Sequence, residues 1–341
     1  MTMIRFVLMM LFLGLIINSA QGAEYATGLK LLPSDTYAAL PRLSSRPTKP
    51  AIPLTIDLSH YMPLPGNQGT QGSCVGWAVA YAKSYQENIE RIQSGNRKLM
   101  HSPSYIYNQI VLPGQCGNGS YISDALQLIK SNGIPLLSDF PYSQSNCTTM
   151  PSQEVNSAAI KRKAINWKTV DLGDTSIIQD LLANALPVIV GIKVYDNFFA
   201  YRGGIYDTPT GSDNGGHAMV IVGFDKDKNA YKLINSWGQS WGDNGYLWIT
   251  PNALASITKE AYVIFDDAES YVPWKLYQSC LSNGQPRCCD HAAFAEDAHL
   301  CASLIEPNDR WAIYQWCLAE GKPRCCEHLT KEEATRHHVC P

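Results

Sequence analysis

Residues 67–78 read NQGTQGSCVGWA (Asn67–Ala78), and the fold turns on what Cys74 is: a reactive thiol at the start of a helix, or half of a disulfide. The chain has 11 cysteines, at positions 74, 116, 147, 280, 288, 289, 301, 317, 325, 326 and 340. In an oxidising compartment an odd number leaves one thiol without an internal partner. The N-terminus points to such a compartment. Arg5 precedes the apolar run Phe6 to Ile17, followed by small residues around Ser19, Ala20, Gly22 and Ala23, the pattern of a signal peptide over residues 1–22. That run is short of the roughly 20 apolar residues a membrane-spanning helix needs. The expectation is a secreted or periplasmic protein without a membrane span, in which disulfides persist.

The last part of the chain accounts for most of the cysteines. YQSCLSNGQPRCCDH (Tyr277–His291) returns 37 residues later as YQWCLAEGKPRCCEH (Tyr314–His328), with Trp274 and Trp311 at the same offset and Cys301 or Cys340 closing each unit. Each repeat holds four cysteines. Vicinal bridges are strained, so Cys288 and Cys289 are expected to bond to Cys280 and Cys301, and Cys325 and Cys326 to Cys317 and Cys340, in either of two connectivities. Zinc held by the thiols with His291 or His328 is the competing arrangement; in an exported chain disulfides are expected, with no metal or other cofactor. Of the remaining three, Cys116 and Cys147 flank a helical stretch in Gly, Asn and Ser rich loops, where a bridge would clamp one lobe. Cys74 is left over.

Hydrophobic residues make up 45% of the 341, charged residues 17%, and the formal net charge is −3, so the chain is globular and no electrostatic case exists for a nucleic-acid partner. Residues 23–55 carry five prolines, which disfavours helix interiors and central strands. This extended segment reads equally as an arm packed on the domain or as a short prosegment. From Ser73, apolar residues recur at three and four residue steps until Gly95, placing Cys74 in the first turn of a helix. Further helices are expected at 123–131 and 176–184. Strands are expected at 187–194, 217–224, 231–235, 246–250 and 261–265, rich in Val, Ile and aromatics between Gly and Asp/Asn turns. Helices first and antiparallel strands second give an α+β fold of two lobes over residues 56–266.

A free thiol at a helix N-terminus gains a lowered pKa from the unpaired N–H groups and macrodipole. To catalyse acyl transfer it also needs a base and an acceptor for oxyanion charge. Of eight histidines, His60 and His101 have no distinctive sequence surroundings, whereas His217 opens the strand GGHAMVIVGFD. LINSWGQSWGDNGYLWI follows, with Asn235 at a strand end beside Trp237 and Trp241. A neutral amide orients an imidazole without cancelling the charge that stabilises a thiolate, and the Trp237 indole would keep water off that bond. Gln68 and the backbone N–H of Cys74 are natural oxyanion donors.

The order Gln68, Cys74, His217, Asn235 and the block NSWGxxWGxxGY resemble the papain-type cysteine peptidases, as do YRGGIY (Tyr201–Tyr206) and CGNGSYISDALQLIKSNGI. The resemblance spans about residues 56–265. It implies a two-lobed papain-like fold, a helical lobe holding Cys74 and an antiparallel β lobe holding His217 and Asn235; the repeats, which the family does not normally carry, are expected to form a small disulfide-rich helical module at 267–341. It further implies an endopeptidase acting on protein or peptide substrates, with Gly119, Ser120, Ile122, Ala218 and Trp241 lining its cleft. A monomer is expected, with a possible docking partner for the repeats. The chain departs from the family at Gln71, where a cysteine is usual; at Val75 and Gly76, which separate Trp77 from the nucleophile; and at Gly216, where an acid often stands. The family's long helical proregion is absent too. An inert papain-fold binding protein and another thiol hydrolase, such as a cell-wall amidase, are the alternatives.

Overall fold

The computed structural model describes residues 25–43, 53–93, 97–171 and 176–266. The signal peptide and the cysteine-rich repeats expected at 267–341, with their bridges, lie outside the described residues.

The helical lobe is built on α2 (Cys74–Gln93), against which α3 (Pro103–Ile110) and α4 (Ile122–Asn132) pack, with α5 (Gln153–Ala159) beyond. The first half of α2 is buried on every side, from Cys74 and Val75 through Tyr81 to Tyr85. A helix apolar all round belongs in a core. Here the core is shared, because α2 also lies against the sheet of the other lobe. Gly76 permits the close approach of α3: a Cβ there would stand 2.7 Å from Pro103 O.

The other lobe is an antiparallel sheet in the order β2 (Asn166–Thr169), β7 (Thr258–Phe265), β3 (Val188–Tyr195), β4 (Asp213–Asp225), β5 (Ala230–Ile234), β6 (Tyr246–Ile249), with β1 (Thr55–Asp57) also pairing with β4. Residues 217–224 of β4 are buried without alternation, as expected of a strand covered on both faces. The remaining helices, α1 (Ser34–Ala38), α6 (Ser176–Ala183), α7 (Asp196–Phe199) and α8 (Pro251–Ile257), are short.

The expected helices at 123–131 and 176–184 and all five expected strands are present to within a few residues. The helices α3, α5 and α8 were not expected, although each opens on a hydroxyl cap, Ser102, Ser152 and Thr250, and two of them carry Pro at the first turn. Cys116 and Cys147 are bonded as expected. Closing a 31-residue separation, the bridge restrains the unfolded chain by about 4 kcal/mol.

The N-terminal segment is extended only in part. Residues 25–32 run along the junction of the lobes, after which the chain turns through α1. Tyr37 pins it there: its hydroxyl donates to Val170 O or Ala261 O and accepts Ala261 N–H.

Candidate active site

The nucleophile loop is a tight turn fixed from both lobes. Gln68 N–H donates to Ser236 O at 2.8 Å, Gly72 N–H to Cys116 O at 3.1 Å, and Gly69 takes φ +60 to make the bend. Ser73 Oγ meets Tyr142 Oη at 2.7 Å. Where the family often has a disulfide, Gln71 bridges by hydrogen bonds: its Nε2 donates to Ser143 O and its Oε1 accepts the Tyr142 hydroxyl. The loop delivers Cys74 as the first residue of α2, a free and fully buried thiol. Its sulfur lies within reach of the backbone of Ala218, the residue after His217. Sequence-distant Cys74 and His217 are thus brought to one place.

His217 Nε2 stands 2.7 Å from Asn235 Oδ1. The amide's orientation follows from a second bond, since Oδ1 also accepts Ser236 N–H at 2.7 Å. An oxygen at that position requires Nε2 to carry the proton. His217 Nδ1 makes no hydrogen bond and is left as the basic nitrogen. Trp237 covers the pair, its ring centroid 4.6 Å from that of His217. Gln68, also fully buried, accepts the Ser236 hydroxyl on Oε1 at 2.6 Å and donates from Nε2 to Gln71 O at 2.8 Å. That leaves the second Nε2 hydrogen for an oxyanion.

A polypeptide already occupies the groove. The strap, residues 25–32, forms bridges through Leu29 with Ser120, parallel, on the helical wall and with Gly216, antiparallel, on the sheet wall. Gly28 and Leu29 N–H both donate to Gly216 O, Ser120 N–H donates to Gly28 O, and Lys30 N–H donates to Ser120 O, at 2.9 to 3.1 Å. Beyond the catalytic residues, Tyr25 stacks on Trp237 at 4.9 Å, and Trp237 Nε1 donates to Ala26 O at 2.9 Å. The fit depends on absent side chains. A Cβ on Gly28 would sit 2.1 Å from Gly72 O, and one on Gly216 would sit 2.5 Å from Leu29 O. This close approach accounts for glycine where the family often has an acid.

Burial governs the titration of both reacting groups. It pushes the Cys74 thiol up to about 12, against the pull of nearby backbone N–H groups that include Leu29. It holds His217 down at about 4, although the Asn235 bond favours the charged ring. The covered pair is therefore neutral thiol and neutral imidazole at physiological pH.

Of the expected cleft residues, Gly119, Ser120, Ile122 and Ala218 meet the strap or its immediate surroundings. Trp241 is fully buried beside Trp237 and packs on Phe198 and Tyr201, while Trp237 is the indole against the His217 ring. Glu260 was missed by sequence reasoning because the final strand was expected to start at Ala261; it begins at Thr258. A lone acid in the run TKEAYVIF was its signal. Among the described residues no cluster of three His, Cys, Asp or Glu side chains is arranged to hold a metal, and no helix is long and apolar enough to cross a membrane.

Residues 53–265 match the family described as Papain family cysteine protease. The chain belongs to that family. Cathepsin K of Mus musculus is 28% identical over 242 residues, covering 69% of this chain and 70% of that protein. Cathepsin S of Mus musculus is 32% identical over 191 residues, covering 54% of each chain, and Gamete and mating-type specific protein A of Dictyostelium discoideum is 30% identical over 197 residues. The chain spans only 42% of that last protein. Among solved structures, xylellain, a cysteine protease from Xylella fastidiosa, superposes with a TM-score of 0.61 at 22% identity, over 72% of this chain and 97% of that one. Digestive procathepsin L2 of Tenebrio molitor gives 0.58 at 24%. At these identities the structures bear on the fold, which is papain-like α+β.

Proposed function

We propose that this protein is a secreted endopeptidase that hydrolyses peptide bonds through Cys74, His217 and Asn235, and that it is held latent by residues 25–32. One observation carries the reading: an extended polypeptide lies hydrogen-bonded along both walls of the groove, directly over a free thiol and an imidazole with one unengaged nitrogen.

With the strap withdrawn, water and substrate reach the pair. The Cys74 proton passes to His217 Nδ1, and the thiolate attacks the substrate carbonyl carbon. The oxyanion takes hydrogen bonds from Gln68 Nε2 and the Cys74 backbone N–H. His217 returns the proton to the leaving amine, the C–N bond breaks, and a thioester remains on Cys74. His217 then takes a proton from water as it attacks the thioester, releasing the acid and restoring the thiol. Asn235 Oδ1 holds the ring in register throughout. An endopeptidase is favoured because the groove continues past Tyr25 into a cavity of about 840 Å³ lined in part by Thr70, Gly117, Asp196, Ala200, Arg202 and Asn214. That leaves space for substrate beyond the scissile bond.

Export is supported by the Cys116–Cys147 bridge, a bond characteristic of oxidising compartments. The repeats at 267–341 are proposed to dock substrate or a partner surface, and truncation at Ser270 that left cleavage of large substrates unchanged would remove that role. The central test is casein digestion by the activated chain beside Cys74→Ala. Activity is expected to vanish with the sulfur; equal digestion by the variant would refute the mechanism.

A further inference from the structure

The two oxyanion donors stand at opposite ends of one short turn: Gln68 opens it, and Cys74 follows its last residue, Ser73. Their separation is only as well defined as the turn. The backbone bond inside it is long, with Gln71 N–H 3.4 Å from Gln68 O. A single oxygen outside the turn joins its two ends. Tyr142 Oη lies 2.9 Å from Gln68 O, 3.2 Å from Gln71 Oε1 and 2.7 Å from Ser73 Oγ. A phenol has one proton, so it donates to Gln68 O, the nearer of the two acceptors, and accepts the Ser73 hydroxyl.

The Tyr142 ring is fixed independently of that turn. Phe140 O on one side of it accepts the Ser102 hydroxyl, and Ser143 N–H on the other donates to Ser104 Oγ at 3.2 Å, both at the opening of α3. The ring itself packs edge-on against Trp77 of α2, with centroids 4.8 Å apart. Further along, the Cys116–Cys147 bridge ties this stretch to Cys116, whose carbonyl accepts Gly72 N–H. Packing therefore places the ring, and the hydroxyl alone speaks to the nucleophile loop. It bonds to neither Cys74 nor His217.

We propose that Tyr142 is a positioning residue for the oxyanion hole: its hydroxyl pins Gln68 and Ser73 to one point and so holds Gln68 Nε2 and the Cys74 N–H where a tetrahedral oxyanion needs them. This rests on the peptidase reading above. The hydroxyl contributes where charge develops on the substrate oxygen. Binding of the intact peptide and the reactivity of the thiolate do not draw on it.

The test uses the full chain, activated and counted by titration of Cys74 with an epoxide directed at reactive thiols, beside Tyr142→Phe, which removes the oxygen and keeps the ring. On a peptide amide, kcat is expected to fall about 3- to 10-fold, the equivalent of one neutral hydrogen bond, with KM unchanged. A peptide nitrile adds to the Cys74 sulfur to give a thioimidate; its nitrogen takes the thiol proton by way of His217 and occupies the oxyanion position. Inhibition by the nitrile is expected to weaken by the same factor. Alkylation by iodoacetamide, in which the sulfur displaces iodide from a saturated carbon and no oxyanion forms, is expected to keep its rate. In a Gln68→Ala background, Tyr142→Phe is expected to lower kcat by a smaller factor than in the parent, because one of the donors it positions is gone. Ser73→Ala removes the other hydroxyl of the 2.7 Å bond and is expected to move kcat and nitrile affinity in the same direction, so poor folding of Tyr142→Phe does not shield the idea. Unchanged kcat in both variants, alkylation slowed in step with kcat, or full multiplication with Gln68→Ala overturns the positioning role while the peptidase stands. If no epoxide is incorporated and no peptide is cut, both readings fall.

Discussion

His217 and His101 are both fully buried, and each sits in a hydrogen-bonded line, yet only one is placed to react. His101 lies between Ser84 Oγ, 3.0 Å from Nδ1, and Glu87 Oε1, 3.1 Å from Nε2, a hydroxyl, imidazole and carboxylate in the order of a catalytic relay. Glu87 also pairs with Lys83 and Arg162, and Lys83 reaches Asp266. Burial alone would raise the Glu87 carboxyl, but the bonds from His101 and Lys83 bring it down to about 2. Both His101 nitrogens are engaged, in the interior of the helical lobe. His217 has one nitrogen bonded to a neutral amide and one bonded to nothing, at the bottom of a groove. The order of groups does not make a site. An unsatisfied atom where a ligand can reach it does.

The largest expected separation between the two histidines is in rate. His217→Ala should lower kcat/KM on peptides by about 10⁴-fold, the upper range for a general acid and base, whereas His101→Ala should leave kcat/KM per epoxide-titrated molecule unchanged. A large rate effect at His101 would break the comparison.

Next come the partners. Glu87→Ala leaves Lys83, which is 2% exposed, without one of its two carboxylates and His101 without its acceptor, at a cost of about 3 kcal/mol read from the urea midpoint. Asn235→Ala should instead lower kcat by about 10- to 100-fold, as loss of one strong orienting bond does, with little change in that midpoint. Exchange of these two phenotypes would reverse the roles assigned here.

The smallest effect is on the strap equilibrium. Covered by the strap, His217 is held at about 4 against an ordinary 6.5. Between those values the open groove binds more protons than the closed one, so falling pH favours opening, and above 6.5 the effect is gone. Fluorescence of Trp237, freed from its stack with Tyr25, should report more opening as pH drops from 6.5 toward 4. A decrease over that range would contradict the His217 account.

The catalytic set was legible because its signals are local. NSWGxxWGxxGY and the helix opening at Cys74 each occupy a short window, and an odd cysteine count singled out the thiol. The relations between distant segments were not. Five prolines said that residues 23–55 avoid regular structure, but nothing nearby said that Gly28 would bond to Gly216, 188 residues on. His101 looked featureless because its partners, Ser84 and Glu87, belong to the preceding helix. Glu260 fell just outside the strand expected at 261–265, which in fact begins at Thr258. Trp237 and Trp241 occupy equivalent-looking places in one motif, and only packing distinguishes the groove wall from its support.

The central claim is that residues 25–32 seal a competent Cys74 and His217 pair. The direct measurement is epoxide labelling of Cys74, mapped by mass, in the full chain at neutral pH beside Gly28→Ala, whose added Cβ cannot coexist with Gly72 O at 2.1 Å. Slow labelling of the parent and rapid labelling of Gly28→Ala, abolished by His217→Ala, is the predicted result. Equal rates in parent and Gly28→Ala, or labelling indifferent to His217, would contradict it.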